Sequence, residues 1–281
     1  METLISANGL SKHYGKTRVL DDIDLEVDRG RIVGLIGHNG AGKTTALKCM
    51  LGLATYEGEL NVLGMSPAKD RTRLMEEVCF IADTATLPRW INAQRAIDFI
   101  AATHPKFHRE TAEAFLAKTD IDPKKEVGKL SKGMITQLHL ALVMAIDVPL
   151  LVLDEPTLGL DILYRKRFYT SLLNDYFDQE RTIVITTHQV EEIESLLTDL
   201  VFIRQGKIIL NTPMDAVAER FVEVHVNPEN VEAARALNPI SEQRGLGKTA
   251  FLFEGGDRTP LEALGETRIP TIADLFVAKM Q

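Results

Sequence analysis

Three runs of consecutive apolar positions stand out along the chain: residues 32–36 (IVGLI), residues 150–153 (LLVL) and residues 183–185 (IVI), with Thr186 behind them. Unbroken runs of this length, as opposed to alternation, are expected of strands covered on both faces, as in a parallel sheet. Between the first and second runs a helical period takes over. Residues 92–103 carry Ala96, Ile97, Ile100 and Ala101 at helical spacing and end near Pro105, and residues 109–118 form a second helix that stops before Asp122 and Pro123. The stretch opened by Ser131 keeps a helical pattern to about Ile146, so residues from about 84 to 147 read mainly as helices. After about Phe221 the pattern changes again. FVEVHVN alternates like a strand, residues 231–237 resemble a short helix, TAFLFEG reads as another strand, and Ile272–Met280 as a final helix. Residues 1–220 therefore read as one α/β domain and residues 221–281 as a small α+β extension.

The turn after the first apolar run carries chemistry. Gly37, Gly42, Lys43 and Thr44 match G-x-x-x-x-G-K-[ST], with a strand before and a helical stretch after, which is the context this motif requires. Glycines let successive backbone N–H groups turn inward toward phosphate oxygens, and the helix N-terminus adds partial positive charge. Lys43 is expected to reach the β- and γ-phosphates and the Thr44 hydroxyl to ligate Mg²⁺. A second Gly-Lys-Thr, at Gly247, Lys248 and Thr249, fails the test, because Glu242 stands where the first glycine belongs and a strand pattern follows; it reads as a hairpin turn. The second apolar run ends in Asp154 and Glu155. Ligands of open α/β sheets sit at the carboxyl ends of strands. Asp154 is the candidate for holding Mg²⁺, and Glu155, projecting differently, for polarising an attacking water.

Composition narrows the setting. The 281 residues are 45% hydrophobic and 26% charged, which excludes a disordered chain or a disulfide scaffold. Lysine plus arginine number 32 against 40 aspartate plus glutamate, a net charge of −8 that argues against nucleic acid as the main ligand. Two distant cysteines without metal-type spacing fit a reducing compartment, and no basic-then-apolar leader opens the chain. No apolar run approaches the roughly 20 residues that span a bilayer. A cytoplasmic protein is expected.

Taken in order, the motifs resemble those of the ATP-binding subunit of an ABC transporter, over roughly residues 3 to 220. Tyr14 stands where that family places an aromatic on adenine, a contact worth about 1–3 kcal/mol in other base complexes. GHNGAGKTT is similar to its Walker A loop, so that Gly37, His38, Asn39, Gly40, Ala41, Gly42, Lys43, Thr44 and Thr45 are implied to bind ATP. LLVLDE resembles Walker B, LSKGMITQ its LSGGQ signature, and TLGLD its D-loop ending at Asp161, while His188 falls at the switch histidine. The resemblance implies a P-loop NTPase core with an antiparallel β subdomain and a helical subdomain at about 84–147. It implies that Ser131 and Gly133 close over ATP held by a second subunit in a head-to-tail homodimer or heterodimer; within one chain Ser131 is also simply a good N-cap. Two positions depart from the pattern. Lys132 and Met134 replace glycine and glutamine in the signature, a variant that resembles exporter-type, ABC-2-like systems, as does the tail RIPTIADLFVAKM. Asp83 stands where glutamine or glutamate would approach Mg²⁺, and being one methylene shorter it leaves direct metal contact open.

The implied activity is hydrolysis of Mg²⁺·ATP, with Lys43, Glu155 and His188 as catalytic residues and Thr44 and Asp154 at the metal, driving a separately encoded integral membrane permease from its cytoplasmic side. Trp90, beside Leu87 and Pro88, is expected either in the groove that receives the permease or in the core. The alternatives are an ABC-type ATPase acting on nucleic acid or ribosomes, and a plain P-loop kinase, which the signature and His188 disfavour.

Overall fold

The computed structural model describes residues 2–82, 87–158, 160, 162–178, 180–255 and 258–280. The chain opens with a long hairpin, β1 (Thr3–Tyr14) and β2 (Thr17–Asp28), closed at Tyr14↔Thr17 around Gly15. The alternation in β2 buries Leu20, Ile23, Leu25 and Val27 on one face. β3 (Ile32–Ile36) is buried at every position and leads through the glycine-rich turn into α1 (Lys43–Met50). β4 (Glu57–Val62) pairs with β1 to complete a three-stranded antiparallel sheet in the order β2-β1-β4. Next come α2 (Arg71–Glu76) and β5 (Val78–Ile81).

Three helices follow. α3 (Ala93–Thr103) is capped by the Asn92 side chain, which accepts from Arg95 N at 2.9 Å. α4 (Arg109–Leu116) and α5 (Lys132–Met144) pack with it around Ile97, Ala112, Leu116, Leu138 and Leu142. β6 (Leu150–Asp154), α6 (Ile162–Ser171), β7 (Thr182–Thr187), β8 (Asp199–Arg204) and β9 (Lys207–Pro213) complete the central layer. Its six strands run β5-β6-β7-β3-β8-β9, parallel except for the β8-β9 hairpin. Because β6, β7 and β3 are neighbours in register, Asp154↔Thr186 and Ile36↔Thr187 lie side by side, and the segments that leave these three strands converge at one edge.

The remainder is α7 (Met214–Arg220), β10 (Phe221–Val226), α8 (Val231–Ala236), β11 (Ser241–Arg244), β12 (Thr249–Glu254), α9 (Thr259–Glu262), β13 (Gly265–Arg268) and α10 (Ile272–Met280). The strands form an antiparallel sheet, β11-β12-β10-β13. The second Gly-Lys-Thr lies at the β11–β12 hairpin: Arg244 pairs with Thr249, and Gly245 N donates to Lys248 O at 2.9 Å. One face of this sheet buries Val222, Val224, Phe251 and Phe253 against Ala234 and Leu261. On the other side, Phe221 and Leu252 join Ile272 and Leu275 of α10 in the same core as Ile36, Leu153 and Ile185. The last helix therefore packs on the central layer. Among the described residues no helix is long and apolar enough to cross a membrane.

Candidate active site

The turn after β3 is glycine-rich for two separable reasons. A Cβ on Gly37 would sit 2.4 Å from the Ile203 carbonyl oxygen of β8, so only glycine lets the loop run this close to the sheet. Gly42, which caps α1, has φ +112 and faces Val19 O and Leu20, so both its backbone and its surroundings exclude a side chain. The loop so formed points Lys43 back on itself: Nζ donates to Gly37 O at 2.7 Å and reaches His38 O at 3.5 Å. Residues 38–45, Val19, Glu155, Leu158 and His188 line a cleft of about 410 Å³.

Asp154, at the end of β6, is fully buried. Its Oδ1 accepts from Thr186 Oγ1 at 2.6 Å and from Thr44 Oγ1 at 3.1 Å, whereas its Oδ2 has no hydrogen-bond partner among the described residues. A buried carboxylate oxygen without a donor is costly unless a cation satisfies it. The hydroxyl and carboxylate at this spot thus fit Mg²⁺, which takes one or two carboxylates plus substrate phosphates in nucleotide sites. No group of three or more His, Cys, Asp or Glu side chains among the described residues could hold a metal by itself, as that mode of binding requires none.

Glu155 follows with φ +48, a left-handed conformation that costs a non-glycine residue of order 1–3 kcal/mol. Its N–H donates to both the carbonyl and the hydroxyl of Thr186, each at 3.1 Å, which fixes the turn. The side chain then lies between two potential cations: Oε1 is 3.3 Å from Lys43 Nζ and Oε2 is 2.9 Å from His188 Nδ1. Oε1 makes no hydrogen bond, so its contact with Lys43 is ionic in character. Lys43, Thr44, Asp154, Glu155 and His188 are thereby brought into one cluster from three adjacent strands.

Other residues singled out from the sequence lie around this cluster or apart from it. Tyr14 ends β1 with its ring half exposed and the Lys12 ammonium 4.8 Å from the ring centroid. Ser131 caps α5, its Oγ accepting from Met134 N at 3.2 Å, and neither Ser131 nor Gly133 lines the cleft. Gly133 is buried where a Cβ would meet the Tyr164 ring of α6 at 2.3 Å. Asp83 and Asp161 lie outside the described residues. Trp90 is 69% exposed, which removes the core alternative. Leu87 and Pro88, just before it in the chain, line an apolar groove of about 230 Å³ with Ile100, His139 and Val143, and Trp90 itself is not part of that lining.

Two contributors were not foreseen. Thr186 donates to the Asp154 carboxylate and accepts from the Glu155 backbone N–H, and the Thr-Thr pair preceding His188 was the available signal. Arg165 of α6 donates to Leu160 O at 2.7 Å and binds the side chains of Gln189 and Glu192, tying the base of α6 to the segment after His188. No local pattern marks it.

Comparison with known proteins follows the same lines. The family model described as ABC transporter matches residues 20–158. The bacitracin transport ATP-binding protein BcrA of Bacillus licheniformis is 30% identical, covering 82% of this chain and 77% of that protein. Nod factor export ATP-binding protein I of Sinorhizobium fredii is 30% identical over 98% of this chain and 85% of its own. Among solved structures, an ATP binding subunit of an ABC transporter superposes with a TM-score of 0.68 at 25% identity, over 77% of this chain and 92% of that one. These relatives are transport ATPases, which sets aside the nucleic-acid and ribosome alternative. The chain belongs to the ABC transporter ATP-binding protein family, and it is an ATPase subunit that couples hydrolysis to transport.

Proposed function

We propose that this chain binds Mg²⁺·ATP in the cleft beside Lys43, hydrolyses it with Glu155 as general base, and drives an exporter-type permease on a separate chain. One observation carries the reading: Glu155 is poised between Lys43 and His188 while Asp154 keeps an unsatisfied buried oxygen beside Thr44. The loop N–H groups and Lys43 hold phosphate oxygens and stabilise charge as it shifts in the transition state. Thr44 and Asp154 would hold Mg²⁺, which supplies neutralisation of phosphate charge when bound. A γ-phosphate and the Glu155 carboxylate compete for the same two partners, Lys43 and His188. ATP binding therefore releases Glu155, which orients a water molecule and accepts its proton, while His188 senses the γ-phosphate. Tyr14 is the adenine platform, and Asp83 stands closest in role to a metal ligand through water.

The opposite wall of the site comes from a second protomer, through Ser131, Gly133 and Asp161, in a two-fold head-to-tail pair. Exposed Leu158, Ile162 and Leu163, at and beyond the rim of the cleft, support such a contact, since apolar side chains grouped at a site mark an interface. The permease docks at the groove lined by Leu87 and Pro88, from the cytoplasmic side of the membrane. Export as the direction, and the ABC-2-like grouping, are supported by the relatives named for export and by the signature variant at Lys132 and Met134. Residues 221–281 are the accessory unit of this ATPase. The shared-site arrangement is tested by mixing two variants, Lys43→Ala and Ser131→Arg. Each alone should lack ATPase activity and the mixture should recover part of it, with one intact composite site per heterodimer. Full activity of each variant alone would contradict the arrangement.

A further inference from the structure

The last helix touches the nucleotide site at two places. On its inner face, the Phe276 ring lies 5.0 Å from the His38 ring of the phosphate loop, tilted by 55°. The same ring meets Phe202 of β8 edge-on at 5.4 Å, so Phe276 is wedged between the central sheet and the loop. At the start of α10, Ile272 N donates to Glu194 Oε1 at 3.1 Å, and Ile272 and Leu275 pack with Val190 and Ile193 in the segment that follows His188. Near its end, Lys279 O accepts from Arg204 Nη1 at 3.1 Å, on the strand next to β3. α10 thus bridges the two segments that flank the position of a γ-phosphate.

His38 is an exposed loop residue, and its ring would be free to turn without a partner. Its carbonyl, with that of Gly37, faces the Lys43 ammonium. Anything that fixes His38 fixes this carbonyl and the N–H groups beyond it, since Ala41 N also donates to His38 O at 3.0 Å. Beyond His38 a second cleft, of about 380 Å³, runs between the outer wall of the loop and Arg204, Gln205 and Met280. The far end of α10 is thus the boundary of the loop on that side. α10 is in turn braced to the C-terminal sheet, through Lys279 with Glu254 at 2.5 Å and through the Lys279 ammonium 5.5 Å from the Phe221 ring.

We infer that Phe276 is a positioning residue of the ATPase: its ring holds His38, and through it the phosphate loop, in the nucleotide-receiving shape. This rests on the reading of the cleft as the nucleotide site. A preformed loop binds ground state and transition state alike, so losing the ring weakens nucleotide binding and leaves turnover at saturation nearly unchanged. An aromatic pair contributes enough beyond area burial to change affinity roughly 2- to 10-fold.

The test is a double-variant cycle on the full chain, read by calorimetric titration with ADP and by phosphate release against ATP concentration. Phe276→Ala is expected to raise the ADP Kd and the KM for ATP by about 2- to 10-fold, with kcat within about 2-fold, and Phe276→Tyr to restore both. In a His38→Ala background, Phe276→Ala should have no further effect on ADP binding. Equal weakening by Phe276→Ala in both backgrounds, or unchanged ADP binding in the single variant, overturns the inference. Should Phe276→Ala fail to fold, Phe276→Leu keeps the packing on Phe202 and carries the same cycle. Failure of the wild-type chain to bind ADP at all would instead overturn the reading of the cleft.

Discussion

At Glu155 a backbone conformation and a side-chain placement depend on the same neighbour, Thr186. A glutamate held at φ +48 by two hydrogen bonds to one threonine is stabilised in a conformation the chain would otherwise avoid, at the point where the carboxylate faces Lys43 and His188. Thr186 therefore supports both residues although it does not line the cleft. Thr186→Val keeps the shape and deletes the hydroxyl, leaving Asp154 Oδ1 and Glu155 N each short of one partner. Hydrogen bonds to charged groups contribute about 1.5–3 kcal/mol, so kcat should fall roughly 10- to 100-fold, and Thr186→Ser should retain most activity. Phosphate-release assays on the two variants check this; equal rates for valine and wild type would remove Thr186 from the account. The two cysteines lie at the opposite extreme. Burial pushes the Cys49 thiol up to about 11, against a small opposing pull from Lys12, and the Cys79 thiol up to about 12. Thiolate is the reactive form, so neither should react with a thiol reagent at neutral pH in the native chain, whereas both should react in denaturant. Labelling counted by mass spectrometry checks that.

At the scale of elements, what the sequence discloses depends on how local its cause is. β3 and β6 are legible because strands buried on both faces must be apolar throughout, and the phosphate loop because only glycine meets Ile203 O at 2.4 Å. The capped starts of α3 and α5, at Asn92 and Ser131, are equally local. What stayed hidden is long-range. Arg165 reaches Gln189 and Glu192 across the turn of the fold, and Phe276 reaches His38 from the far end of the chain, with no periodicity to announce either. Trp90 could be read as core or groove, since an aromatic serves both, and only its exposure sets the core aside. α5 carries a further expectation. His139 lines the apolar groove, and burial lowers its pKa below the ordinary 6.5. The unfolded chain then takes up a proton that the folded chain resists. Stability should accordingly fall as pH drops through 6.5 toward the folded value, and level off below it. His139→Gln should flatten that part of a urea-midpoint curve between pH 7 and 5.5. An unaltered slope would mean that other groups, such as His104, whose pKa burial also lowers, carry it.

At the scale of the whole molecule, the chain that divides unevenly by motif does not divide by core. Phe221, Leu252, Ile272 and Leu275 lie in the cluster that also contains Ile36, Leu153 and Ile185 beneath the nucleotide site. Burying each large apolar side chain is worth about 1.5–3 kcal/mol, so several together rival a net stability of about 5–15 kcal/mol. A chain ended at Arg220 should lose its cooperative thermal transition or aggregate, and a transition at the wild-type midpoint would show the C-terminal unit to be dispensable. In the proposed function the cleft is an ATPase site whose chemistry turns on Glu155. Glu155→Gln preserves size and the hydrogen bond to His188 while removing the base. Nucleotide affinity measured by titration should stay within about 3-fold of wild type, and single-turnover hydrolysis should slow about 10²- to 10⁴-fold. Near-normal hydrolysis by the folded, ATP-binding Glu155→Gln protein would contradict the account.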